Sequence, residues 1–492
     1  MCGKALPCRW LGAKGQAHRF RYSPRRGRAT PHIGRQSRFK DFRGKAITTE
    51  LKRQIGIRTA TAFVVGGVIA VGIFLTPAGM AKSLGSPFWL LIVWLVMGAT
   101  ALCGALCYGE LSARYPEAGG GYVYLREAYG PSVAFMYGWM AFLVMDPGLT
   151  AALASGLAQY AAHVVPLSSA GKTALAIATI IGIALVNIRG VRLGAWFVRS
   201  LMFLKLGLLA FIFLWGVGFQ LGDWSNFTPF VARNAKADWW FEALAGGLTG
   251  AFFSFAGWWD LGKLAGEVKD PERTLPRALS YGVIAVTFVY ILVSFTFIYL
   301  VPMDQVTSKE TFAAQAGEVL FGPAGGVVFS LVVVVCVLGS LAAVVMSAPR
   351  VYFAMARDGL FVRSVASLHP RYETPAYAIG LQAVLASILV AVGTFNEIVS
   401  YFVFVVIVFI ALTVIALYKL RRRDPNYAGY LTPGYPVTPA IFLVSLLVML
   451  ILMGVSSPKQ AFLGVAVVLL GLPVYFVLFR NKRIAEEREG FK

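Results

Sequence analysis

Long runs of apolar residues, separated by short polar segments, make up most of the chain after about residue 58. An α-helix needs roughly 20 apolar residues to cross the hydrocarbon core of a bilayer. The runs therefore predict an all-α polytopic membrane protein with twelve transmembrane helices, at about 58–82, 87–112, 131–163, 170–188, 195–219, 242–262, 279–301, 325–348, 375–393, 396–419, 436–454 and 460–479.

The first span contains a stretch that is poorly suited to a helix. Gly66, Gly67, Gly72 and Pro77 fall within twelve residues near its middle, and both residue types weaken a helix interior. In hydrocarbon, a broken helix is tolerated only where the freed backbone groups find other partners. Close packing of neighbouring helices against glycine is the alternative explanation.

A second stretch of this kind lies in span 6, at residues 251–260 around Gly257. Two interruptions five spans apart predict a 5+5 inverted repeat in which broken spans 1 and 6 face each other. The N-terminus of a half-helix carries partial positive charge for a carboxylate, and freed carbonyl groups can hold an ammonium group. A free amino acid carries both charges on one carbon. The candidate substrate-binding residues are Ala70, Val71, Gly72, Ile73, Phe253, Ser254, Phe255, Ala256 and Gly257.

Composition and charge placement support the membrane assignment. The chain is 58% hydrophobic with a mean hydropathy of +0.70, which excludes an ordinary soluble protein. Its net charge of +22 is not that of a nucleic-acid-binding surface, because the basic residues lie in the first 58 positions and in short connections. Connections on one predicted side carry seventeen Lys and Arg, and those on the other carry six. This asymmetry predicts cytoplasmic termini.

The segment 1–56 is basic and poor in large apolar residues, which predicts a disordered cytoplasmic tail. Attraction to anionic lipid, an organelle transit peptide and a mis-assigned translation start are the alternatives for it. Residues 481–492 are predicted to form a second cytoplasmic tail.

Four motifs resemble the amino acid–polyamine–organocation (APC) superfamily, in particular its L-type, sodium-independent amino acid transporters. They are residues 67–77 in span 1, 108–124 after span 2, 266–278 after span 6, and 355–359 with 369–375 after span 8. The resemblance covers about residues 50–480. It implies a leucine-transporter-like fold, with a first repeat at 57–219, a second at 240–420 and peripheral spans at 436–480.

The resemblance implies a secondary active transporter that carries amino acids across the plasma (inner) membrane by alternating access. We expect it to be sodium-independent, to favour neutral amino acids and to need no cofactor. A polyamine or basic amino acid antiporter and a non-transporting amino acid sensor are the alternatives. The family pattern has glycine-small-glycine in the span 1 break, whereas this chain has Ala70-Val71-Gly72. Val71 adds bulk there, which leaves room for a smaller or unusual substrate. The sequence leaves the oligomeric state open.

Lys205 is a charged residue inside span 5. Intramembrane lysines are costly and often functional, although snorkelling of the side chain to the membrane surface is the alternative. In sodium-independent relatives, a lysine at the matching position takes the place of a sodium ion. The resemblance therefore implies that Lys205 bridges broken span 1 and span 8 near Ser340.

Other charges in or near the spans are candidates for gating or coupling. Asp146, which precedes a proline in span 3, is either a structural partner or a ligand for a substrate cation. Glu110 is expected in an ion-pair network at the inner end of span 2. Asp260, Lys263 and Glu267 occupy successive turns after the second break and are interpreted as a solvated inner gate with i,i+3 and i,i+4 pairing.

Among the aromatic residues, the resemblance places Phe253 where a side chain closes over the substrate from outside. Trp258 and Trp259 are expected to contribute to packing.

The sequence disfavours other chemistries. It has no glycine-rich phosphate loop with its lysine, and its four histidines are distant from one another. Cys103 and Cys107 lack further ligands nearby, so no metal site is predicted. The apolar spans also disfavour a channel, which requires a continuous polar lining. An enzymatic activity is not expected.

Overall fold

A computed structural model describes residues 51–70, 72–231, 240–306, 312–392, 395–456 and 458–480. Most of the predicted tail 1–56, the tail 481–492 and the candidate Val71 lie outside these residues. In the part of the chain described, nearly every segment is helical, and the one β contact is an isolated parallel bridge between Ile55 and Val268. The predicted all-α class is therefore confirmed for these residues.

The first half of the described chain contains the helices α1 (Ile57–Val68), α2 (Gly72–Leu84), α3 (Pro87–Arg114), α4 (Gly121–Tyr129), α5 (Pro131–Met140), α6 (Asp146–Val164), α7 (Ser169–Ile188) and α8 (Val191–Gly218). The second half contains α9 (Trp240–Phe255), α10 (Pro271–Leu300), α11 (Phe312–Phe321), α12 (Gly325–Ser347), α13 (Pro349–Arg357), α14 (Ala376–Val392), α15 (Phe395–Arg423), α16 (Val437–Ser456), α17 (Pro458–Leu469) and α18 (Gly471–Tyr475).

Within the described residues, eight helical stretches are long and apolar enough to cross a membrane, and three shorter apolar helices accompany them. This length and composition are those of a multi-pass membrane protein. The spans predicted from the apolar runs each coincide with one or more of the observed helices. The count of twelve crossings remains a prediction, because several helices are too short to establish it by length alone.

The first span is interrupted between α1 and α2. The helix α1 ends at Val68, and Ile69 follows with a ψ of 89°, which is not helical. The helix resumes at Gly72 as α2. The predicted break in span 1 is therefore confirmed, and its backbone polar groups are free to bind partners other than their own helix.

The sixth span is interrupted in a similar way. The helix α9 ends at Phe255, and a 3₁₀ segment begins at Trp258 and runs to Glu267. Gly257 between them has a φ of +105°. Glycine adopts this left-handed region without the steric penalty that a side chain would bring, which explains why the helix ends here. The predicted break in span 6 is also confirmed.

The two interrupted spans lie side by side in the centre of the helix bundle. The helix α2 packs against α9, while α1 packs against α8, α10 and α12. Trp94 and Tyr290 are fully buried beside the second break, where their rings lie 5.0 Å apart between centroids. A third irregularity occurs in span 3, where a π-helical turn (Ala141–Met145) precedes Asp146. Such turns re-aim the side chains that follow them and are frequent at functional sites.

Candidate functional site

A small cavity lies where the two interrupted spans meet. Its volume is about 120 Å³, and most of its surface is apolar. The residues that line it come from the first break, from span 3, from the second break and from α12 and α15. They include Gly67, Val68, Ala70, Gly72, Met145, Asp146, Leu149, Leu153, Phe252, Phe253, Ser254, Ala256, Gly257, Trp259, Asp260, Lys263, Ala343, Val344, Val406 and Ile407.

The two breaks approach each other closely at Gly72 and Ser254. A Cβ atom at Gly72 would lie 2.9 Å from Cα of Ser254, so no larger residue fits without a backbone shift. Thr76, one turn further along α2, shares a hydrogen bond of 2.8 Å with the hydroxyl of Ser254. The requirement for glycine at position 72 therefore comes from contact between the two spans.

Tyr290 links the backbone of the two breaks. Its hydroxyl lies 3.0 Å from the carbonyl oxygen of Val68 and 2.8 Å from that of Ser254, so its single hydrogen is within reach of both acceptors. Buried carbonyl groups freed by a helix break need such a donor. The sequence analysis missed Tyr290, because nothing local distinguishes it from the other aromatic residues of span 7.

Lys205 is fully buried and its ammonium group is surrounded by oxygen atoms. It donates to the carbonyl oxygens of Gly66 at 2.8 Å, Ile69 at 2.6 Å and Cys336 at 2.9 Å. The hydroxyl oxygen of Ser340 lies 3.4 Å away. These contacts exclude snorkelling, and they join broken span 1 to α12, as the resemblance implied.

Ser340 completes this oxygen-lined position. Its hydroxyl lies 2.9 Å from the carbonyl oxygen of Gly66 and 3.1 Å from that of Ile69. Several backbone oxygens and a hydroxyl arranged around one positive charge are typical ligands for a small cation. The ammonium of Lys205 occupies that position.

Asp146, Asp260 and Lys263 form a buried charged group at the cavity. Nζ of Lys263 lies 2.9 Å from Oδ1 of Asp146 and 3.0 Å from Oδ1 of Asp260. Tyr352 donates to Oδ2 of Asp146 at 3.2 Å. The expectation that Asp260 and Lys263 are solvated is wrong, since they are 7% and 1% exposed. The 3₁₀ segment turns them inward, toward span 3.

The third member of the expected solvated gate, Glu267, is also buried, and it does not pair with Lys263. Arg350 at the start of α13 donates to Oε1 of Glu267 at 2.7 Å and to Oε2 at 3.3 Å. Both side chains are at most 1% exposed. The expected i,i+3 pairing between Asp260 and Lys263 is observed. The expected i,i+4 pairing between Lys263 and Glu267 is not, and Lys263 pairs instead with Asp146, 117 positions earlier in the chain.

Glu110 lies in the expected ion-pair network at the end of α3. Its carboxylate accepts hydrogen bonds from Arg114 at 3.0 Å and from Arg421 at 2.9 Å, and the backbone N–H of Thr432 donates to it at 2.7 Å. Glu110 is completely buried. The network joins span 2 to span 10 and to the connection that follows it.

A separate cluster joins α4 to the end of α13. Arg126 of α4 donates to Asp358 at 2.7 Å and to Glu117 at 3.1 Å. Partial burial by itself lowers the pKa of the Arg126 guanidinium, but the carboxylates of Asp358, Glu117 and Glu127 together outweigh it and the pKa is raised. The guanidinium therefore remains charged and holds the two segments together.

Some of the candidate residues at the two breaks line the cavity, and others are packed away from it. Phe253 is 44% exposed and lines the cavity, as do Ala70, Gly72, Ser254, Ala256 and Gly257. Ile73 is fully buried and Phe255 packs against Trp94 and Tyr290, so neither lines the cavity. Trp258 is buried in packing as expected, whereas Trp259 lines the cavity.

Two interrupted helices that meet at a small central cavity, within a bundle of apolar helices, define the architecture of a membrane transporter. The sequence matches the amino acid permease family over residues 55–479. The chain belongs to this family.

Several characterised proteins are similar over most of their length. The serine/threonine exchanger SteT of Bacillus subtilis is 30% identical over 437 residues, which are 88% of this chain and 98% of the relative. The Asc-type amino acid transporter 1 of Mus musculus is 29% identical, over 88% of this chain and 82% of the relative. The cystine/glutamate transporter of Homo sapiens is 28% identical, over 87% and 85%.

Proposed function

We propose that this chain exchanges free amino acids across the plasma membrane as a sodium-independent secondary transporter. The observation that carries the proposal is the ammonium of Lys205 among the oxygens of Gly66, Ile69 and Cys336. The ammonium group of Lys205 is part of the chain, so a positive charge is already present at that position. A bound sodium ion is then not needed there. The names of the relatives, which include an exchanger and amino acid transporters, support amino acids as the substrate.

The cavity suits the backbone of an amino acid. The N-terminus of α2 begins at Gly72 and contributes partial positive charge for a carboxylate. Backbone carbonyl groups at the second break, around Ala256, suit the α-ammonium group. Apolar lining residues such as Leu149 and Val406 favour a neutral side chain. The proposed cycle alternates access to this cavity between the two sides of the membrane.

The proposed topology has twelve crossings with both termini in the cytoplasm, and two inverted repeats at 57–219 and 240–420 with peripheral spans at 436–480. The distribution of basic residues among the connections supports it. The packing of span 2 against span 7, which occupy equivalent places in the two repeats, also supports it. Accessibility labelling of single cysteines placed in the connections tests the topology.

A polyamine or basic amino acid antiporter is the second candidate. It is favoured by one observation, the presence of two carboxylates, Asp146 and Asp260, in the cavity lining. The non-transporting sensor of the same fold remains the third alternative.

Counterflow in proteoliposomes distinguishes these functions. Vesicles preloaded with an unlabelled amino acid mixture are diluted into labelled alanine, serine, leucine or arginine, with sodium replaced by choline in a parallel series. We expect accumulation of neutral amino acids that does not change when sodium is absent. Accumulation confined to arginine or to added agmatine would support the antiporter, and absence of all counterflow would support the sensor.

A further inference from the structure

The charged group at the cavity carries more negative than positive charge. Asp146 and Asp260 contribute two carboxylates, and Lys263 contributes one ammonium group. All three side chains are at least nine-tenths buried, and all three line the cavity. A buried carboxylate is costly unless hydrogen bonds or opposite charge compensate it.

The two carboxylates differ in how well they are compensated. Both oxygens of Asp146 accept a hydrogen bond, Oδ1 from Lys263 at 2.9 Å and Oδ2 from Tyr352 at 3.2 Å. Oδ1 of Asp260 lies 3.0 Å from Nζ of Lys263, but among the described residues no donor has hydrogen-bonding geometry to this atom. Asp260 is therefore the carboxylate with capacity left for a further donor.

Asp260 lies close to the second break, in the lining of the cavity. Its backbone N–H donates to the carbonyl oxygen of Gly257 at 3.1 Å, which fixes the side chain one turn beyond the break. Both residues line the same cavity as Gly72 and Ala70 of the first break. A molecule held at the two breaks would therefore occupy the cavity that Asp260 lines.

We propose that Asp260 is a specificity-determining residue that accepts a hydrogen bond from the side chain of the transported amino acid. This inference rests on the proposed function. The substrates it favours are small amino acids whose side chain ends in a hydroxyl or an ammonium group. An apolar isostere leaves Oδ1 of Asp260 with only its ion pair to Lys263, and sites built to bind a polar group discriminate against such analogues. Partial compensation by Lys263 limits the preference to about ten- to a hundredfold.

Competition in counterflow tests the proposal, with sets of substrates that differ in one group. 2-Aminobutyrate, serine and 2,3-diaminopropionate form one isosteric set, and valine and threonine form another. Inhibition constants are measured for the unmodified protein, for Asp260→Leu and for Asp260→Asn. The exposed carboxylate of Asp304 provides the control Asp304→Asn.

We expect at least one donor-bearing isostere to compete about tenfold or more better than its apolar counterpart in the unmodified protein. The ratio of the two inhibition constants, apolar isostere to donor-bearing isostere, approaches one in Asp260→Leu. It falls to an intermediate value in Asp260→Asn and is unchanged in Asp304→Asn. Comparison of serine with 2,3-diaminopropionate shows whether the preferred side-chain donor is a neutral hydroxyl or a cationic ammonium group. If Asp260→Leu does not fold, as judged by size-exclusion chromatography, the ratio for Asp260→Asn decides.

Equal competition by all isosteres in the unmodified protein would overturn the inference while leaving the proposed function intact. So would a ratio that survives in Asp260→Leu with all affinities lowered equally, because that result is expected of a residue that only positions Lys263. Absence of any counterflow in the unmodified protein would instead overturn the proposed function, and this inference with it.

Discussion

The ammonium nitrogen of Lys205 lies 2.6 Å from the carbonyl oxygen of Ile69, inside the interruption of the first span. Ile69 is fully buried, so water cannot replace this donor. The charged side chain of Lys205 on α8 thus holds α1 against α8 and α12. We expect changes at Lys205 to disturb the first break and therefore transport.

Replacement of Lys205 by methionine, which is similar in length and uncharged, tests its role. The carbonyl oxygens of Gly66, Ile69 and Cys336 then lose a charged donor, which is worth about 1.5–3 kcal/mol per hydrogen bond. We expect counterflow to fall by about tenfold or more. Lys459→Met, at an exposed lysine, is the matched control and should exchange normally. Normal exchange by Lys205→Met would refute the assigned role.

Gly72→Ala tests the close approach of the two breaks. The added Cβ would lie 2.9 Å from Cα of Ser254, and relief of such overpacking costs about 1–3 kcal/mol. We expect transport to fall by about tenfold or more. Gly79→Ala in the same helix α2 is the control, since no atom lies within 4 Å of its added Cβ. Equal activity of the two variants would show that the contact with Ser254 is not required.

Phe253→Ala tests the aromatic side chain that faces the cavity. If Phe253 covers the bound amino acid, its loss should raise KM by about tenfold, from the lost burial of apolar surface, and change kcat less. Phe288→Ala removes an aromatic ring that is 66% exposed on α10 and should leave KM unchanged. An unaltered KM in Phe253→Ala, measured by labelled uptake, would argue against contact with the substrate.

Glu110→Gln tests the network that joins span 2 to span 10. The change leaves Arg114 and Arg421 without their carboxylate, and loss of one member of a buried ion pair costs about 3–5 kcal/mol. We expect a lower midpoint of thermal unfolding for the detergent-solubilised protein. The pair of Lys52 and Glu373, whose side chains are 64% and 39% exposed, offers the contrast. Lys52→Met should change stability by about 0–1 kcal/mol, and a similar loss in both variants would contradict this assignment.

The sequence predicted the features that depend on local residue patterns. Gly66, Gly67 and Gly72 in one apolar run indicated the first interruption, and Gly257 indicated the second. The position of Lys205 beside Ser340 followed from the resemblance to a known family, because the two residues are 135 positions apart. The structure agrees with the first two predictions and supplies the distances for the third.

The features that the sequence did not reveal depend on contacts between distant elements. Lys263 was expected to be solvated because it follows the apolar run and counted among the basic residues of a connection. Asp146, 117 positions earlier, pairs with it only because the π-helical turn and the 3₁₀ segment direct both side chains inward. Arg350 follows the apolar run of span 8 and carries no local sign of burial. Its burial depends on Glu267, which no local pattern connects to it.

The parallel bridge between Ile55 and Val268 has a mechanical consequence. The backbone N–H groups of Gln54 and Ile55 donate to the carbonyl oxygen of Glu267, and that of Lys269 donates to the carbonyl oxygen of Ile55. The strand-like segment that leads into α1 is thereby fastened to the segment that leaves the second break. Because these hydrogen bonds link the two segments, we expect α1 and the 3₁₀ segment to move together as one rigid unit.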